Sequence, residues 1–66
     1  MKHDFTVVLR GYDRPQVDAA FAQAEAMAVA GQTEAAREFL AGKQFDVALR
    51  GYDRGQVEAA VAASFR

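Results

Sequence analysis

Apolar and polar residues alternate along two short stretches of the chain. At every second position each stretch carries a phenylalanine, a valine and a leucine: Phe5, Val7 and Leu9, then Phe45, Val47 and Leu49. A period of two with β-branched and aromatic residues is typical of a strand with one buried face. The pattern predicts two short strands, with Leu9 and Leu49 inside if that face is covered.

After each strand the apolar spacing changes to the three-and-four pattern of an amphipathic helix. A first helix is predicted from about Arg14 to Ala30, ending at Gly31, with this apolar stripe: Val17, Ala20, Phe21, Ala24, Met27 and Ala28. A second, shorter helix is predicted between a capping Thr33 and Gly42, with Ala36, Phe39 and Leu40 as its apolar positions. The last helix, from about Arg54 to Ser64, presents Val57, Ala60, Val61 and Phe65.

The chain is also an internal repeat. Thirteen of the twenty residues from Phe5 recur at the same spacing from Phe45. We therefore expect one domain over residues 1–66, made of two strand-turn-helix repeats at about 5–24 and 45–64. A helical linker at about 25–44 joins them. The predicted fold is a small α+β domain of order β-α-α-β-α, whose strands pair as a short antiparallel ribbon within the chain or across a dimer.

The block Leu-Arg-Gly-Tyr-Asp-Arg is identical in both copies, at residues 9–14 and 49–54. Its glycines, Gly11 and Gly51, are predicted to end the strands in a turn that needs positive φ. Its aspartates, Asp13 and Asp53, are predicted helix N-caps, completed as capping boxes by Gln16 and Gln56. Tyr12 and Tyr52 are expected to pack the turn against the helix, with the hydroxyl at the solvent edge. Arg14 and Arg54 have carboxylates four residues on, which predicts surface ion pairs with Asp18 and Glu58.

Composition narrows the range of functions that this protein can have. Cysteine is absent and His3 is the one histidine, so we expect no disulfide, metal site or cofactor. Net charge is −1, which argues against nucleic acid because phosphate binding needs a basic patch. The chain shows no signal or membrane-spanning pattern, so a cytoplasmic location is expected. A core of 66 residues supplies only about 3–5 kcal/mol, which predicts a dimer or higher oligomer.

Leucine and arginine stand side by side where each predicted strand ends, at Leu9-Arg10 and Leu49-Arg50. If the tips are covered, both leucines are core residues. If the tips project, leucine could enter an acyl layer while arginine meets a lipid phosphate. One buried leucine yields about 1.5–3 kcal/mol, and a basic residue at an anionic surface adds about 1 kcal/mol. Membrane binding would then require several tips acting together.

At this block the sequence resembles the N-terminal domain of the DivIVA family of bacterial cell-division and polarity scaffolds. The residues that carry the resemblance are Phe5, Leu9-Arg10-Gly11-Tyr12-Asp13 and Val17, repeated as Phe45, Leu49-Arg50-Gly51-Tyr52-Asp53 and Val57. The resemblance implies a cytoplasmic, self-associating scaffold that docks on the inner face of the membrane and recruits other division or polarity proteins. It places the inserting residue on Leu9 and Leu49 and the neighbouring cation on Arg10 and Arg50.

The chain departs from that family in two ways. The family continues its first helix into a long coiled coil, whereas Gly31 and a second repeat follow here. The tip residue is leucine rather than a bulky aromatic. We expect the two copies to stand in for the two subunits of the family's dimer, related by a pseudo-twofold axis.

Three other functions remain as alternatives. One is a protein-interaction adaptor that has the same fold and does not bind lipid. Another is a ribbon-helix-helix DNA-binding module, in which Thr6, Val8 and Arg10 would face the major groove. An enzyme is the least favoured, because the sequence offers no nucleophile-histidine pair, phosphate loop or carboxylate cluster.

Overall fold

The computed structural model describes residues 5–64 and shows the small α+β fold. The elements, in chain order, are β1 (Val7–Tyr12), α1 (Arg14–Val29), α2 (Thr33–Gly42), β2 (Val47–Tyr52) and α3 (Arg54–Ala63). This is the predicted β-α-α-β-α order. The predicted contribution of Phe65 to the last helix, and any role of His3, lie outside the described residues.

The first helix ends where the sequence predicts. Ala30 is the C-cap and Gly31 follows in the left-handed conformation, with φ of 86°. The Gly31 N–H donates to the Ala28 carbonyl at 3.0 Å, and the Gln32 N–H donates to the Met27 carbonyl at 2.9 Å. This pair of bonds is a Schellman motif, which satisfies carbonyls that a helix end leaves unpaired. The chain then turns directly into α2.

The start of α2 differs from the prediction. Gln32 is the N-cap, and no side-chain hydrogen bond caps the helix. Thr33, the predicted cap, is already the first helical residue. The Schellman motif explains the shift, because it fixes the backbone of Gln32 and leaves that residue as the junction between the two helices.

The two strands pair with each other in antiparallel register within the chain. Partners run in opposite directions: Val7 with Tyr52, Val8 with Gly51, Leu9 with Arg50, Gly11 with Ala48 and Tyr12 with Val47. Two further backbone bonds extend the pairing, from Asp13 N–H to the Asp46 carbonyl at 2.9 Å and from Asp53 N–H to the Thr6 carbonyl at 2.8 Å. Adding or subtracting 40 maps these pairs onto one another, except for Leu9 with Arg50, whose counterpart Arg10 with Leu49 is not paired. The pairing of the copies is therefore pseudo-twofold.

The strands are bent, and they cross at the two conserved glycines. Gly11 pairs with Ala48, three residues before Gly51, so a straight ladder would hold the two glycines about 10 Å apart. They are much closer than that, because a Cβ added at Gly51 would lie 2.6 Å from the Gly11 carbonyl carbon. An extra pairing of Tyr12 with Tyr52 marks the same crossing. Both glycines lie inside the strands, so the prediction that they end them is wrong.

The physical reason for these glycines also differs from the prediction. Among the described glycines, positive φ occurs at Gly31, not at Gly11 or Gly51. Gly11 and Gly51 are buried where two backbones touch, so a side chain has no space. Arg10 takes the left-handed conformation, with φ of 59°. The sharp bend of β1 therefore lies at the arginine, one residue before the glycine.

Burial along the strands follows a period of three rather than two. Phe5, Val8 and Gly11 are covered or half-covered, and the related residues 45, 48 and 51 repeat the pattern. Val7 is 44% exposed and Leu9 70% exposed. The predicted inward set is therefore wrong beyond the phenylalanine, because a bent and crossed strand does not keep the alternation of a flat one.

The helices form the core, largely as their stripes predict. Its buried members are Val17, Ala20, Phe21 and Ala24 of α1, Ala36 and Leu40 of α2, and Val57 of α3. Phe5, Tyr12, Phe45 and Tyr52 pack against this cluster from the strand side. Alanine at three of the seven buried positions lets the helices approach closely. This core holds the base of both strands and leaves their bent tips outside.

Candidate docking site at the strand tips

Tyrosine side chains tie each repeat to the helix of the other repeat. The Tyr12 hydroxyl donates to Glu58 Oε2 at 2.7 Å, and the Tyr52 hydroxyl donates to Asp18 Oδ1 at 2.9 Å. The rings pack on the phenylalanines, with centroids 5.4 Å apart for Tyr12 and Phe45, and 5.2 Å apart for Phe5 and Tyr52. The hydrogen bond to Glu58, with burial and the Glu58 charge, raises the pKa of Tyr12 above its usual 10.0.

Tyr12 and Tyr52 are two of the predicted docking residues. Both are half-buried and hydrogen-bonded within the chain, where they support the tips. The predicted i,i+4 ion pairs are replaced, because Asp18 and Glu58 accept from the tyrosines. Within residues 5–64 an ion pair forms instead between Arg37 and Glu34, at 2.7 Å.

Glutamines add a second set of bonds between the repeats. Gln16 Oε1 accepts from the Asp46 N–H and its Nε2 donates to Asp46 Oδ2, both at 2.9 Å. Gln56 bonds Thr6 in the same way, at 2.8 Å to the N–H and 3.1 Å to Oγ1. The predicted capping boxes are therefore not formed, since each glutamine reaches the opposite repeat.

The two predicted N-cap aspartates hold the expected positions but differ in their bonds. Asp53 Oδ1 accepts from the Gln56 N–H at 3.0 Å, as predicted. Asp13 is the N-cap of α1 but makes no side-chain capping bond. Both backbone N–H groups, which a capping box would use, instead donate to the opposite repeat. Pairing between the repeats therefore takes over part of the local capping.

The two Leu-Arg pairs, which we call the tips, lie at the middle of the ribbon and are exposed. Leu9 is 70% exposed and Leu49 is 78% exposed, which excludes the interpretation that they are core residues. Val7 and Val47 are also exposed, at 44% and 53%. Because Leu9 pairs with Arg50, the leucine of one tip lies beside the arginine of the other. The two leucines and two arginines therefore lie together at the middle of the ribbon, with Val7 on one arm and Val47 on the other.

The charge of the tips differs from that of the rest of the chain. Residues 7–12 and 47–52 contain Arg10 and Arg50 and no acidic residue. Without these two arginines, six basic residues remain against nine acidic ones, a net charge of −3. The ribbon is thus cationic, with exposed apolar side chains, and the remaining chain is anionic. An anionic surface would attract the tips and repel the body of the protein.

Sequence reasoning missed several of the residues that build this site. Val7 and Val47 were expected to face inward, and the glutamines were expected to cap their own helices. All four are identical between the repeats, as are the tip leucines and arginines. That identity was the available signal, but the crossing of the strands determines what each position touches.

Comparisons with protein families, curated proteins and solved structures found no match to this chain. Within the described residues no helix is both long and apolar enough to cross a membrane. Over the same residues, histidine and acidic side chains form no group of three or more that could hold a metal ion.

Proposed function

We propose that this protein is a non-enzymatic, self-associating scaffold or adaptor that docks on an anionic membrane surface through its two strand tips. The observation that carries the proposal is the exposure of Leu9 and Leu49 beside two arginines at the middle of the ribbon. Large aliphatic side chains exposed together on a small protein mark an interaction surface. The resemblance to DivIVA scaffolds supports a role in bacterial cell division or polar growth, on the inner face of the membrane.

The strength of such docking can be worked out from the tips. Burying two exposed leucines contributes about 3–6 kcal/mol at full insertion. Three-quarters exposure and shallow insertion reduce that to about 2–4 kcal/mol. Two arginines near an anionic surface add about 2 kcal/mol. The sum, about 4–6 kcal/mol, corresponds to a dissociation constant of about 0.04–1 mM, so one molecule binds reversibly and an oligomer binds firmly.

One chain supplies a complete pair of tips. The strands of the two copies pair with each other, and the bonds made by the tyrosines and glutamines repeat in both halves. This arrangement supports our interpretation that the tandem copies replace the two subunits of a dimeric DivIVA domain. Self-association is then not needed to form a pair of tips. It brings several pairs of tips together in one oligomer.

The DNA-binding alternative is less well supported by the strands. Of its three proposed base-reading residues, Val8 is half-buried and Thr6 is bonded to Gln56. Thr6 and Arg10 are both exposed, but the Thr6 hydroxyl is already bonded to the opposite repeat.

Co-sedimentation with anionic liposomes at low salt tests the docking proposal. The parent protein is expected to pellet, and a Leu9→Ser/Leu49→Ser double variant is expected to bind at least tenfold more weakly. Val29→Ser is the matched control, because Val29 is 85% exposed but lies at the end of α1 rather than at the tips. Circular dichroism establishes that each variant is folded.

Two results would overturn the docking proposal. One is a parent protein that stays in the supernatant, and the other is equal weakening by the double variant and by Val29→Ser. Either would leave the adaptor without lipid binding as the function. A further double variant, Arg10→Gln/Arg50→Gln, should bind anionic liposomes more weakly, and neutral liposomes should bind the parent poorly.

A further inference from the structure

The two halves of the molecule differ in one aromatic ring. In the first half the Phe21 ring lies against Phe5, with centroids 5.9 Å apart, and Phe5 in turn contacts Tyr52. The related position in the second half is Val61, next to the Phe45 and Tyr12 pair. A cluster of three rings in one half therefore corresponds to a pair of rings in the other.

A groove of about 250 Å³ lies where the third ring would be. Tyr12, Phe45, Val57 and Val61 line one side of it. The end of α2 supplies the other side through Leu40, Ala41 and Lys43. An apolar cavity of about 150 Å³ is already large enough to bind benzene, so this groove has room for a phenyl ring.

Charge at the rim adds a second requirement. Glu58, on α3, also lines the groove and keeps its negative charge while its carboxylate accepts from the Tyr12 hydroxyl. Lys43 lines the same groove, and its Nζ lies 5.6 Å above the Phe39 ring. A carboxylate next to an inserted ring would be attracted to this ammonium group and repelled by Glu58, so it must lie at the rim beside the end of α2.

We propose that this groove binds the side chain of a phenylalanine in a partner protein, with a carboxylate next to it in the partner sequence. The first half of the molecule shows how such a ring binds, because Phe21 packs there against the related phenylalanine and tyrosine, Phe5 and Tyr52. The site is separate from membrane docking, because Leu9, Arg10, Leu49 and Arg50 do not line the groove. It gives the scaffold a surface for recruiting a partner while the tips face lipid.

Nuclear magnetic resonance titration with N-acetyl-phenylalanine tests the proposal. The methyl resonances of Val57, Val61 and Leu40 are expected to shift at millimolar ligand. N-acetyl-phenylalaninamide, which lacks the carboxylate, should bind at least threefold more weakly, and N-acetyl-leucine should also bind more weakly. The Lys43→Gln variant should remove the preference for the acid over the amide. The Leu9→Ser/Leu49→Ser variant should bind the ligand as the parent does.

A substitution that fills the groove provides the second measurement. Val61→Phe places the missing ring in the position related to Phe21, so this variant should melt at a higher temperature and bind the ligand at least tenfold more weakly. Val29→Phe adds the same ring at an exposed site and should change neither property. The proposal is overturned if Val61→Phe melts lower or fails to fold, or if it still binds the ligand. It is also overturned if the ligand shifts none of the three methyl groups, or if acid and amide bind the parent equally.

Discussion

Alanine at either crossing glycine should remove a large part of the stability of this protein. At Gly51 the new Cβ would lie 2.6 Å from the Gly11 carbonyl carbon and nearer still to the Tyr12 carbonyl oxygen. A Cβ added at Gly11 would meet the backbone carbonyl groups of Gly51 and Tyr52. Carbon atoms pack comfortably at about 3.5–4.0 Å, so the overlap is about 1 Å. The opposing atoms are backbone and cannot rotate away.

The loss of stability can be worked out from the contacts that change when the strands separate. Overpacking by one methyl group costs about 1–3 kcal/mol in a well-packed core. Relief here requires the strands to separate, which also weakens pairing hydrogen bonds worth about 1 kcal/mol each. We expect a loss of at least about 2 kcal/mol from a total of about 3–5 kcal/mol. The melting temperature should fall by roughly 8–16 °C, at about 4–8 °C for each kcal/mol.

Urea and thermal denaturation of Gly11→Ala and Gly51→Ala would measure this loss. Gly42→Ala is the matched control, because a Cβ there meets nothing within 4 Å and the residue ends α2. Helix propensity favours alanine over glycine by at most about 1 kcal/mol, so the control should be neutral or slightly more stable. The reasoning is refuted if either crossing variant stays within about 0.5 kcal/mol of the control.

Two further predictions concern the bonds between the repeats. Gln16→Ala removes two hydrogen bonds to Asp46 and should lower the free energy of unfolding by about 1–2 kcal/mol. Gln23 is exposed on the same helix, and Gln23→Ala should change the free energy of unfolding by less than about 0.5 kcal/mol. Equal effects of the two variants in urea denaturation would contradict this account. The raised pKa of Tyr12 means that the folded state holds its proton more tightly than the unfolded state. Its stabilising contribution is complete below the unfolded pKa of about 10 and is lost as the pH rises through the folded pKa. The urea midpoint of the parent should therefore fall more steeply above about pH 10 than that of Tyr12→Phe, and parallel curves would show that the bond to Glu58 is not formed.

The helices could be predicted from the sequence because their determinants are local. Gly31 ends α1 through a motif built from its immediate neighbours, and the apolar stripe of α1 faces the core as its spacing indicates. The order of the elements followed from the repeat, since the second copy returns to the pattern of the first. Boundaries moved by only a residue or so, as at Thr33, where the preceding turn occupies the capping position.

The strands could not be predicted in the same way, because their burial depends on contacts between segments forty residues apart. Alternation assigns Leu9 and Leu49 to the core, yet both are exposed in the crossed ribbon, whether or not the next residue is left-handed. Glycine in a turn suggests positive φ, yet Gly11 is needed because another backbone touches it. Likewise Gln16 has the spacing of a capping box, and Asp46 arrives from the other repeat to take its side chain.

The sequence by itself determined the duplication, the three helices, their buried faces and the pair of tip motifs. Each of these depends on spacing along the chain, which a sequence states directly. Only the tertiary structure decided that the copies interlock, that the leucines project, and that Val61 leaves a groove where Phe21 fills the related space. These features depend on which surfaces meet across the pseudo-twofold axis. Residues that are identical in the two copies can then support the ribbon, as Tyr12 does, or project from its middle, as Leu9 does.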